Sequence, residues 1–219
     1  MLRRGRDRPR SGGEMPTLDS ISFNVDGWTC THVGSEEAPR VWETPEGDRI
    51  AVAVCWGPEA FPPGLETLAD LSAHWRERLG PTQGTLVETS VDVRAGGPAY
   101  RIVHKARQEP LGFSYTATVL IPFHGFGFMI VVRCEERGIT GLREAIAVDT
   151  MLKGRNLSVE QLQQLLGTLD SDHEVSDDEL PDHPLSRLHG HLRRIEETLS
   201  ISETVSTMPR PNPLPAGGD

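Results

Sequence analysis

The sequence predicts an α+β fold: a single antiparallel sheet of about six strands in the order ββαββββα, packed with helices and followed by a C-terminal helical extension. Three observations carry this. Residues 85–134 hold four strand-like runs whose connectors are short enough to make neighbours antiparallel. Residues 65–79 set Leu65, Leu68, Leu71, Trp75 and Leu79 at helical spacing. Near the C terminus, Leu185, Leu188, Leu192, Ile195 and Leu199 alternate steps of three and four residues.

Each element has its local signal. From Ile21 the apolar period is two, through Phe23 and Val25 and then Trp28 and Cys30, with Asp26-Gly27 marking a turn or bulge between. Residues 40–44 read as a strand, 45–48 as a tight turn and 50–56 as an unbroken apolar run suited to a central strand. Pro62, Pro63 and Gly64 break the sheet before the first helix, and Gly80-Pro81 stops that helix. The meander strands are 85–94, 99–107, 112–121 and 126–134, and every connector carries Gly or Pro.

Helical patterns close the chain. Thr140 can cap a helix running to about residue 152. Ser158 and Gln161 form a capping box ahead of Leu162, Leu165, Leu166 and Leu169. The acidic stretch 170–182 reads as a solvated linker, and Pro184 opens the last helix with His183 as a cap residue. The resulting layout is a basic arm or over-long start at 1–17, one domain at 18–153, a helical extension at 154–200 and a disordered tail at 201–219.

Charge narrows the partners. The net charge is −10, yet the first 13 residues carry +4, so the remainder carries −14. Such a body repels a phosphate backbone, and nucleic acid is not an expected partner. The arm has no apolar core of a secretory signal. The most apolar window, 116–132, is interrupted by Pro122, Gly125 and Gly127 and so makes a poor membrane span. An odd count of cysteines, Cys30, Cys55 and Cys134, without a CxxC, argues for reduced, buried thiols in the cytoplasm.

The order of two strands, a helix, a four-strand meander and a returning helix resembles the PsbP-like fold over residues 18–152. Its matching pieces are 23–33, 41–56, the helix at 65–79 and the meander ending at 128–134. That superfamily includes bacterial Eag-type secretion chaperones, and the resemblance implies a non-catalytic interaction protein. No family motif is present, so no functional residue is carried over.

The chemistry read from the residues agrees. There is no glycine-rich phosphate loop, no GxSxG and no HExxH. Cys30 and His32 share a strand face and Cys55 could join them, but a zinc site needs more ligands. Stretch 170–179 fails as a calcium loop, with Val175 where Gly is required. No cofactor or metal is therefore expected. Phe123, His124 and Phe126, at the tip of the last hairpin, and the stripe Leu185, Leu188, Leu192, Ile195 and Leu199 are the candidate interaction surface. The expected function is a protein-binding, adaptor or chaperone-like module whose partner, another protein or a second copy, engages the C-terminal helix. Two alternatives stay open: a small-molecule protein or enzyme with a pocket between sheet and helix 65–79, and a structural subunit of a larger assembly.

Overall fold

A computed structural model describes residues 15–35, 38–57, 61, 65–109, 112–138, 141–153 and 171–215. A short 3-10 turn, Leu18–Ser20, leads into β1 (Ile21–Ser22). Then come β2 (Thr29–His32), β3 (Arg40–Glu43), β4 (Arg49–Trp56) and α1 (Leu68–Gln83). The meander is β5 (Thr85–Arg94), β6 (Gly97–Arg107), β7 (Phe113–Phe123) and β8 (Phe126–Glu135). After it come α2 (Leu142–Leu152), α3 (Ser171–Glu174), α4 (Pro184–Thr198), β9 (Ser200–Ile201) and α5 (Glu203–Ser206).

The fold is α+β with a large antiparallel sheet, but that sheet has seven strands in the order β2-β3-β4-β8-β7-β6-β5, and β1 and β9 form a second, two-stranded sheet. The six-strand, one-sheet expectation fails twice: residues 40–56 supply two strands, β3 and β4, with β2 added beyond β3, and the chain breaks at Asp26-Gly27. Gly27 has φ +78°, and Asn24 Oδ1 accepts the Asp26 N–H at 2.8 Å, so the chain turns there. Ile21 and Ser22 then pair with Ile201 and Ser200, while Thr29–His32 joins β3.

The sheet buries both faces. Ile50, Val52, Tyr115, Ala117, Ile121, Phe128, Ile130 and Val132 pack under α4, and Tyr100, Ile102 and Leu120 pack under α1 with Leu71. Thr67 and Asp70 close a reciprocal capping box at the start of α1, and Gly80 (φ +54°) breaks its helical path before a last turn. Thr140 and residues 156–169, including the Ser158 box, lie outside the described residues, as do residues 1–14.

The tail at 201–215 is not disordered. Arg210 donates to the carbonyls of Arg94 and Ala95 at 3.0 Å each and Pro98 at 2.7 Å, and its guanidinium lies 4.7 Å over the Phe123 ring. The Leu214 N–H reaches Tyr100 Oη at 2.9 Å, the Leu68 N–H reaches the Pro215 carbonyl at 3.0 Å, and Leu214 is buried. Proline here keeps a strap extended across strand ends, which composition alone reads as disorder.

Candidate functional site

Most of the sequence-derived surface is interior. The turn joining β7 to β8 contains only His124 and Gly125, so Phe123 and Phe126 are the last ladder pair and point to the same face. Both are buried, with their rings stacked 4.7 Å apart, and of the three candidates His124 alone is exposed. Leu185, Leu188, Leu192 and Ile195 are buried against β7 and β8, and Leu199 packs partly against the same core. The stripe is covered by the protein's own sheet and does not form an open contact surface.

The proposed thiol cluster also dissolves. Cys30 is exposed on β2, Cys55 is half-buried on β4 with β3 between them, and only Cys134 is buried, so the expectation of three buried thiols holds for one. A register shift between Cys30 and His32 further separates that pair from regular alternation. The acidic stretch is not a solvated linker either. Asp172 is buried, accepts a 2.7 Å hydrogen bond from Tyr115 Oη and pairs with Lys105. Asp177 binds Ser186 Oγ at 3.0 Å and the His189 ring at 2.7 Å. Arg143, buried on α2, organises the stretch by donating to the carbonyls of Asp172 and Val175.

Around Asp48 sits a polar centre that sequence reasoning missed. Its two oxygens accept from Arg187 Nε at 2.9 Å and Nη2 at 3.0 Å, from Arg137 at 3.2 Å, and from His191 at 3.1 Å. Burial alone would raise its pKa, but the His191 and Arg187 hydrogen bonds outweigh that and hold it well below the usual carboxylate range. Asp48, Cys134 and His191 offer ligand-type atoms within 4.8 Å of one another. They do not suit a cation: two guanidiniums already neutralise the carboxylate, and burial pushes the Cys134 thiol up, so it stays protonated. The centre is a lock between the β3–β4 turn, the end of β8 and α4.

His183 is spent in a similar way. Its Nδ1 accepts the Leu185 N–H at 3.2 Å, capping α4. Burial first, and the Arg143 charge second, bring its pKa down to about 4 from an ordinary 6.5. Because the unfolded chain takes up the proton first, stability should fall as pH drops from 6.5 to about 4 and be unaffected by this group below that. His183→Asn keeps a capping oxygen and removes this titration, so its urea-midpoint profile should be shallower than that of the wild type across that window, the remaining slope coming from groups such as His104, whose pKa burial also lowers. An unchanged slope in the variant would place the effect elsewhere.

Among the described residues four clefts stand out; one, about 170 Å³, is lined by Met15, Thr17 and Val205 among others. The largest, about 410 Å³, is lined by Glu136, Arg137, Leu142, Glu179 and His183 among others. Its buried carboxylate is already used: Glu136 accepts the N–H groups of Phe113 at 2.8 Å and Gly141 at 3.2 Å. The other two lie back to back between the N-terminal segment and strands β3 and β4, divided by Leu18 and Arg40. One, about 160 Å³, has walls of Ile21, Phe23, Val25, Trp42 and Val52. The second, about 270 Å³, is walled by Val33, Val54 and Trp56. Arg40 is held across the divide by Asp19 at 2.7 Å and the Val33 carbonyl at 2.9 Å, and Val33 itself is 71% exposed.

No family model matches the chain, and no curated protein matches it. Among solved structures it is similar to cyanobacterial PsbP (CyanoP) from Synechocystis, at 14% identity over 64% of this chain and 85% of that one, with a TM-score of 0.38. It is also similar to LpqN, described as involved in cell envelope biogenesis of Mycobacterium tuberculosis, at 14% identity over 83% of each chain, with a TM-score of 0.37. Both likenesses concern fold alone, and neither says what this chain binds. Among the described residues no helix is long and apolar enough to cross a membrane.

Proposed function

We propose that the protein is a non-catalytic binding module that anchors apolar side chains of a partner polypeptide in the paired clefts beneath its N-terminal segment. The observation that supports this is size joined to lining. At about 160 and 270 Å³, both clefts fall below the roughly 300 Å³ at which small-molecule sites begin, yet both are apolar, and the larger of the two opens beside the exposed Val33. Pockets of that kind accept single anchor side chains, which is how protein interfaces concentrate their binding energy. The strongly shifted groups Asp48, Cys134 and His183 sit in internal pairs, caps or core, leaving them no evident reacting partner. A cytosolic setting belongs to this reading, with Cys30, Cys55 and Cys134 in no disulfide.

A peptide-display library selected on the full chain tests it. Enriched sequences should carry two apolar anchors, and binding should drop at least about tenfold in Val33→Asp, a surface change that spares folding. Recovery of no binder, or binders indifferent to Val33→Asp and Val54→Ser alike, would refute the proposal.

A further inference from the structure

Among the described residues strand β5 ends the sheet, and it is ten residues long where the opposite edge strand, β2, has four. Long uncovered edges invite pairing with another strand. Which backbone groups of β5 are free follows from its ladder with β6. A two-residue turn, Ala95-Gly96, makes Arg94 and Gly97 the closing pair, so Arg94, Asp92, Ser90 and Glu88 exchange hydrogen bonds with β6. Val93 instead faces Pro98, which has no N–H, and its own N–H goes to Asp92 Oδ1 at 2.6 Å. The N–H and C=O groups of Thr89, Val91 and Val93 therefore point away from the sheet.

We infer that two copies of this chain pair through β5, antiparallel about a two-fold axis at Val91, to make one continuous sheet. In this register Val91 faces the partner's Val91 and Thr89 faces the partner's Val93. All of these lie in the outward-pointing set, so the ladder's hydrogen bonds form without rearranging either backbone once the Asp92 carboxylate turns away and releases the Val93 N–H. Val93, 64% exposed in the single chain, gains an apolar neighbour. On the other face Glu88 meets the partner's Arg94, twice by symmetry, and Ser90 meets the partner's Asp92.

Charge selects this register over its neighbours. Shifting the axis by one residue toward the N terminus sets Glu88 against the partner's Asp92, and the opposite shift sets Asp92 against itself. Like charges directly opposite across strands are destabilising. In the single chain Arg94 already contacts Asp92 at 2.6 Å and Glu88 contacts Arg101 at 3.2 Å, so the new pairs extend an existing line of alternating charge.

Sedimentation of the full chain over a wide concentration range should show the mass double. Val91→Pro removes an outward N–H at an edge strand, a place where proline is tolerated, together with part of the packing of Val91 on the α1 core, and should leave a less stable but folded monomer at every concentration. In a Cys30→Ser background, Val91→Cys should cross-link under oxidation, because directly opposed hydrogen-bonded residues lie about 5.5 Å apart, within disulfide reach. Val93→Cys, opposite a threonine, should link many-fold more slowly. A monomer at all concentrations, a dimer that survives Val91→Pro, or equal cross-linking at both positions would each overturn the inference.

Discussion

Asp48→Asn is expected to destabilise the protein by about 3–5 kcal/mol, measured by urea unfolding, because it leaves the half-buried Arg187 without its counter-charge. The pair is bidentate, the carboxylate is fully buried, and His191 and Arg137 converge on the same two oxygens. Arg187 also donates to the Glu135 carbonyl at 2.8 Å, so its misplacement loosens the end of β8 as well as α4. Replacing both members, Asp48→Asn with Arg187→Met, should cost less than Asp48→Asn alone, since the uncompensated charge is gone.

The pH dependence has a definite sign. The folded pKa of Asp48 lies below its ordinary 3.8, so its contribution is complete above that value and is lost as pH falls below it. Wild type and Asp48→Asn should thus converge in acid, with the gap opening as pH rises toward about 4 and staying constant above it. A stability loss under about 1 kcal/mol at neutral pH would mean that water screens the cluster as it screens a surface pair.

How much of this was legible beforehand depended on whether the signal was local. The four meander strands and α1 follow from period and turn residues within each segment, and they were read within a few residues. β1 was not, because two residues become a strand only when Ser200 and Ile201 come to meet them. The Asp48 centre joins positions 48, 134, 137, 187 and 191, and no spacing rule links a turn aspartate to a helix arginine 139 residues later. The tail misread as disorder shows the same limit, since its order rests on carbonyls of β5, β6 and β7 accepting from one arginine. Phe123 and Phe126 were misjudged over two residues: a connector at 122–125 exposes Phe123 and leaves Phe126 at its rim, whereas the two-residue turn that forms makes them the last ladder pair.

The C-terminal stripe is the second place where a substitution decides between readings. Leu188→Ala and Leu192→Ala should each cost roughly 2–5 kcal/mol, the range for truncating a leucine in a packed core, with about 2–4 °C of melting temperature lost per kcal/mol. Both side chains are completely buried between α4 and the faces of β7 and β8, where Ile130, Val132 and Tyr115 leave no room for collapse without a cavity. A stripe reserved for a partner would behave in the opposite way: truncation would leave the isolated protein's melting temperature within about 1 °C and weaken only association. The helix ends reinforce the first outcome. His183 caps α4 against the domain and Arg187 ties its first turns to Asp48, while Thr198 Oγ1 accepts the N–H of Asn24 at 2.9 Å, so α4 is held to the body along its whole length. Seven strands and α4 therefore unfold together, and a differential-scanning trace of either leucine variant should show one shifted transition rather than a separate early one.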